Sequence, residues 1–86
     1  MEVIVEELLF RQLAACPKDF QGQFRKTYQH LKIADSPLEI KSIFRISKNF
    51  YKITIQNSRI ALKVIAGKAT IGLFLYNRYY AQDSNE

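Results

Sequence analysis

The chain is short, close to average in composition, and basic: 86 residues, 48% hydrophobic and 24% charged, with a net charge of +5 and a single cysteine. A domain of this size buries only about 60 to 65% of the surface of its unfolded chain, which limits the core to one layer of helices on one sheet. The composition excludes a disordered chain, and the lone Cys16 excludes an intramolecular disulfide.

The first forty residues predict a strand and two helices. Residues 1–6 alternate as a short strand does, and residues 7–15 have the leucine spacing of a short helix. Pro17 suits the first turn of a second helix, which residues 35–37 (DSP) end. An apolar stripe at helical spacing predicts the buried side of this helix: Phe20, Phe24, Tyr28 and Leu31.

The rest of the chain predicts strands. Four segments, 42–48, 50–56, 59–66 and 69–77, are rich in Ile, Val, Phe, Tyr and Thr, and short turns separate them. Short turns imply antiparallel hairpins. The predicted fold is α+β, with an N-terminal strand and two helices packed on one face of an antiparallel four-strand meander. We expect residues 1–80 to form one domain and residues 81–86 to form a flexible C-terminal tail.

Strand alternation predicts two different faces of the sheet. The apolar face, expected to lie under the helices, comprises Phe44, Ile46, Tyr51, Ile53, Ile55, Ile60, Leu62, Val64, Ile71, Leu73 and Leu75. The opposite face comprises Arg45, Ser47, Lys52, Thr54, Gln56, Arg59, Lys63, Phe74, Tyr76 and Arg78.

Charge is unevenly distributed along the chain. Residues 1–40 hold six acidic and five basic side chains, whereas residues 41–78 hold eight Lys or Arg and no Asp or Glu. This asymmetry points to an anionic partner such as nucleic acid or an acidic peptide. Cations and aromatic side chains on an acid-free sheet face favour binding of a phosphate backbone with bases that can stack. The alternative is an ordinary solvated basic surface.

The sequence also limits compartment and cofactors. It has no Cys/His cluster with metal-ligand spacing, and we expect neither a metal nor a cofactor. The N-terminus is acidic, unlike a signal peptide, and the longest apolar run, residues 60–76, contains two lysines. We therefore expect a cytoplasmic protein that does not associate with membranes.

Several segments resemble RelE-type toxins of the RelE/ParE superfamily. They are residues 38–40 (LEI), 50–55 (FYKITI), 58–64 (SRIALKV) and the last strand, 74–78 (FLYNR). The resemblance covers residues 1 to about 80. It implies a bacterial type II toxin that a cognate antitoxin neutralises and that, when free, cuts mRNA in the ribosomal decoding site.

The reaction implied by the resemblance is an internal attack of the ribose 2′-hydroxyl on the neighbouring phosphorus, with departure of the 5′-oxygen. It needs a base, cations for the developing charge and an acid. Arg59 and Arg78 match family arginines and are assigned to phosphate charge, and Lys52 to proton transfer or phosphate binding. Tyr80, near the position of a family tyrosine, is a further catalytic candidate.

Further residues are expected to contact RNA, and departures from the family pattern leave alternative functions open. Arg45 and Lys63 are expected to hold the RNA backbone, and Tyr76 to stack on a base. The sequence departs from the family pattern at Thr54, Ser58 and Gln82. Alternatives are therefore a ParE-like inhibitor of DNA gyrase, a catalytically weakened toxin that acts only by binding, and a generic nucleic-acid-binding module.

Overall fold

Two helices pack on one side of a five-stranded mixed sheet in the computed structural model, which describes residues 1–76. The α+β class predicted from the sequence is confirmed. The elements in chain order are β1 (Glu2–Val5), α1 (Glu7–Ala14), α2 (Lys18–Ile33), a 3-10 turn (Pro37–Glu39), β2 (Ile43–Arg45), β3 (Phe50–Ile55), β4 (Ser58–Ile65) and β5 (Lys68–Tyr76).

Strands β2 to β5 form the predicted antiparallel meander, and the order across the sheet is β1-β5-β4-β3-β2. The N-terminal strand differs from the expected arrangement, because β1 joins the sheet as an edge strand parallel to β5. Val3 and Val5 thereby stand beside Ala69 and Ile71 and extend the apolar surface. Two residues form each of the β3–β4 and β4–β5 turns. In the β4–β5 turn, Ala66 and Gly67 both adopt positive φ, as this type of hairpin turn requires.

Both helices contribute to one core. Leu9 and Leu13 of α1 are buried, as are Phe24 and Leu31 of the α2 stripe, and Tyr28 packs against the edge of the same cluster. The side-chain amide of Gln21 donates hydrogen bonds to the carbonyl oxygens of Leu13 (2.9 Å) and Cys16 (3.0 Å) and so ties the two helices at their turn.

Each central strand contributes one set of side chains to that core. Ile53, Ile60, Leu62 and Ile71 are fully buried, and cross-strand pairing puts Ile53 opposite Ile60 and Leu62 opposite Ile71. The other side of the sheet, which neither helix covers, is called the open face. Its members on the four antiparallel strands are Phe44, Phe50, Lys52, Thr54, Arg59, Ala61, Lys63, Ile65, Lys68, Thr70 and Gly72.

Ile60 and Ile65 lie on the same strand but on opposite faces, with exposed fractions of 0% and 49%. We expect Ile60→Val to lower the free energy of unfolding by about 0.5–1.5 kcal/mol, because it removes a buried methyl group and leaves a small cavity. Ile65→Val is the matched control, with an expected change within about 0.5 kcal/mol. Urea denaturation followed by circular dichroism measures both; equal losses would contradict the assignment of the two faces.

Candidate nucleic-acid interface

The β3–β4 hairpin brings three of the predicted site residues together. Lys52 lies opposite Ala61, Thr54 opposite Arg59, and Phe50 opposite Lys63. Partners across an antiparallel pair share a face, so Lys52, Arg59 and Lys63 all lie on the open face. Lys52 is diagonal to both of the other cations, at a typical spacing of about 7–8 Å. The chain therefore presents a triangle of positive charge away from its core, whose longest side, from Arg59 to Lys63, runs four residues or about 13 Å along β4.

The two lysines of this triangle are not neutralised by nearby acids. Lys52 is half-buried and Lys63 exposed, and within residues 1–76 neither forms an ion pair. The ion pair between Arg11 and Glu7, at 3.0 Å, lies on the exposed side of α1. The ammonium groups of Lys52 and Lys63 are thus available to an anionic ligand.

Two small residues form the floor beside the triangle. Ala61 lies between Lys52 on β3 and Gly72 on β5. The carboxyl end of the Glu6 side chain lies against Gly72, in the space that a Cβ at this position would occupy. Glu6 therefore places a carboxylate at the β1 side of the open face, and the expectation of an acid-free face is wrong. It held for residues 41–78 but not for the edge strand that joins the sheet next to β5.

A shallow depression extends the positive surface toward the β4–β5 turn. It has a volume of about 350 Å³ and is lined by Lys63, Ile65, Ala66, Lys68 and Thr70. Lys68 was not among the predicted site residues. Its position at the start of β5, opposite Ile65 on the open face, follows from the tight turn and was readable from the same alternation.

Arg45 does not join the predicted set on the open face. It stands opposite Tyr51, whose side chain is buried in the core. Its guanidinium donates hydrogen bonds to the carbonyl oxygens of Ser47 (3.3 Å) and Lys48 (2.9 Å) and lies 5.9 Å from the centre of the Tyr51 ring. The predicted face of Arg45 is therefore wrong, because Ile43 rather than Phe44 pairs with Ile53.

Phe44 accordingly moves to the open face, where it stands opposite Lys52. Phe44 and Phe50 both expose 49% of their surface, and neither was among the predicted site residues. Phe50 lies two residues before Lys52 on the same strand, and residues two apart share a face, so the sequence already indicated that Phe50 lies on the open face.

Three other predicted site residues lie near or beyond the end of β5. A β-bulge between Ile60 and Ala61 shifts the backbone register, so Tyr76 pairs with Ser58 and Leu75 with Arg59. Phe74 and Tyr76 were predicted to share a face with Arg59. The backbone pairing instead puts Leu75 opposite Arg59. Arg78 and Tyr80, and the predicted tail, lie outside the described residues, and their roles stay predictions.

In residues 1–76, no three His, Cys, Asp or Glu side chains come together as they would around a metal ion. None of the helices in the same residues is long and apolar enough to cross a membrane.

Comparison with known proteins identifies the fold. No family model matches the sequence, and no curated protein sequence does. Among solved structures, a chain of the RelB–RelE antitoxin–toxin complex from Methanococcus jannaschii is similar, with a TM-score of 0.75 and 19% sequence identity. The similarity covers 96% of this chain and 99% of that chain. The chain therefore has a RelE-like fold.

The charge triangle makes a prediction about salt. If Lys52 and Lys63 each contact one phosphate, Lys52→Ala and Lys63→Ala each lower the slope of log affinity against log salt by about 0.7 for a single strand. Arg45→Ala leaves the slope unchanged, because Arg45 lies on the other face. Fluorescence anisotropy of a labelled single-stranded RNA, titrated at several salt concentrations, measures the slopes. An Arg45→Ala effect as large as that of Lys52→Ala would contradict this assignment.

Proposed function

We propose that the chain is the toxin of a type II toxin–antitoxin pair and that it cuts mRNA on the ribosome. The observation that carries the proposal is the triangle of Lys52, Arg59 and Lys63 on the open face of a RelE-like fold. Phosphate esters are the anions that such a cluster suits, since several cations can share the charge of one phosphoryl group.

The proposed reaction is transfer of the phosphoryl group to the neighbouring ribose oxygen. The 2′-oxygen bonds to phosphorus as it loses its proton, the bond from phosphorus to the 5′-oxygen breaks, and that oxygen takes up a proton. The products carry a 2′,3′-cyclic phosphate and a 5′-hydroxyl. Arg59 and Lys52 stabilise the additional negative charge of the phosphorane, which is greater in the transition state than in the substrate. Arg78 and Tyr80 are proposed as the further cation and proton donor.

A protein partner is part of the same proposal. The similar solved chain comes from a complex of an antitoxin with a toxin. This chain exposes apolar side chains on α1, with Leu8 at 67% and Phe10 at 65%. Beside them, a groove of about 660 Å³ runs between α1 and α2 and is lined mainly by apolar side chains, among them Leu13 and Phe24. Exposed apolar surface of this kind marks a protein interface, and we assign it to the cognate antitoxin.

The experiment adds the purified chain to a reconstituted translation reaction and maps mRNA ends by primer extension. We expect new ends that require ribosomes. The double variant Lys52→Ala, Arg59→Ala should lower their yield by roughly 100-fold or more, because both cations of the reacting phosphate are lost. Lys26→Ala, an exposed substitution on α2, should cut as the unchanged chain does.

A second control tests the nucleophile. An mRNA with a single 2′-deoxynucleotide at the mapped cut should resist cleavage there, because the attacking oxygen is absent. Intact mRNA with the unchanged chain would refute the cleavage proposal. Inhibition of gyrase supercoiling in parallel would then identify the chain as an inhibitor that shares only the fold.

A further inference from the structure

The open face contains two exposed aromatic rings that the core does not use. Phe44 on β2 and Phe50 on β3 each expose 49% of their surface. Both point away from the buried cluster, which takes its strand side chains from the other face. A sheet face that only meets water is usually polar, so two half-exposed phenylalanines near its β2 edge indicate a ligand-binding surface.

Each ring stands directly opposite a lysine on the neighbouring strand. Phe44 pairs with Lys52 across β2 and β3, and Phe50 pairs with Lys63 across β3 and β4. The Nζ atom of Lys52 lies 5.7 Å from the centre of the Phe44 ring. The sheet therefore holds two adjacent pairs of a phenylalanine and a lysine. The second pair lies one strand further into the sheet than the first and is displaced from it by two residues along β3.

This repeat has the chemistry of a nucleotide, which consists of a flat base and a phosphate. Bases stack on aromatic rings, and phosphates bind lysine. Phe44 and Phe50 are diagonal neighbours, about 7–8 Å apart. Nucleotides stacked in a duplex strand advance only about 3.4 Å each. Bases that reach both rings must therefore be unstacked from each other, which a single strand allows and a duplex does not.

We propose that Phe44 and Phe50 form a stacking platform for two neighbouring bases of single-stranded RNA, whose phosphates contact Lys52 and Lys63. The inference rests on the proposed function and assigns two residues that select single-stranded substrate. The carboxylates of an acidic peptide would also satisfy the lysines, but a carboxylate side chain lacks the large flat ring that each nucleotide brings together with its charge.

The chain contains no tryptophan, so a ring replaced by tryptophan becomes a unique reporter. The probe is a single-stranded RNA hexamer with 2′-O-methyl groups throughout, which the proposed reaction cannot cut. We expect the hexamer to quench the fluorescence of the Phe44→Trp and Phe50→Trp variants, because each indole stacks on a base. The same hexamer paired with its complement should leave both signals unchanged.

Affinity gives the second readout. Phe44→Ala and Phe50→Ala should each weaken binding of the labelled hexamer by roughly 5- to 150-fold. Phe44→Leu should weaken it comparably, since leucine keeps an apolar side chain but loses the flat ring. Ile33→Ala is the control, because Ile33 is an exposed apolar residue (81%) at the end of α2, outside both proposed binding surfaces, and its affinity should equal that of the unchanged chain.

The outcomes separate this inference from cleavage itself. Quenching and loss of affinity together with intact mRNA would support the platform and refute the cleavage proposal. Ribosome-dependent cleavage with alanine variants that bind and cut normally would refute the platform alone. Absence of quenching, equal binding of duplex, or failure of the unchanged chain to bind the hexamer would each overturn the inference. If an alanine variant does not fold, as judged by circular dichroism, the tryptophan variants decide.

Discussion

Burial of one aliphatic sheet face under two helices is the constraint on which the rest of the structure depends. Ile53, Ile60 and Leu62 are completely buried, and a slip of one residue in the register of β4 would turn Ile60 and Leu62 toward water. A slip is therefore costly for a chain with a single small core. The same constraint fixes the opposite side: the positions between the buried residues, above all Lys52, Arg59 and Lys63, must lie together on the open face.

Local patterns predicted the fold class, both helices and the β3–β4 hairpin, because each of these depends on neighbours in sequence. Predictions were wrong where the answer depends on which strands pair and in which register. In β2, apolar residues occupy both parities, so alternation alone does not tell whether Ile43 or Phe44 faces the core. The pairing of β1 with β5 brings together residues from the two ends of the described chain, and no pattern in the local sequence predicts it. The bulge in the β4–β5 register is likewise a property of the pair of strands.

The same distinction explains the candidate site. Lys52, Arg59 and Lys63 belong to one tight hairpin, so their common face was predictable from period-two alternation. Arg45 was misplaced with the rest of β2. Glu6 was missed because its carboxylate reaches the open face, beside Gly72, through the parallel pairing of β1 with β5. Phe50 had the correct parity, but phenylalanine in a strand is more often core than ligand contact.

The cation–π contact between Lys52 and Phe44 is one that a bound nucleotide can replace with its own contacts to the same two residues. At 5.7 Å, the ammonium group lies over the ring that the platform offers to a base. A cation–π contact at an exposed site is worth about 0.5–1 kcal/mol. Stacking of a base is worth about 1–3 kcal/mol, so a base can displace the ammonium. The released lysine then stands beside the phosphate of the nucleotide that displaced it. Binding of the base and placement of the cation on the phosphate are thereby coupled, because a base without a phosphate displaces the ammonium group and offers it no anion in return.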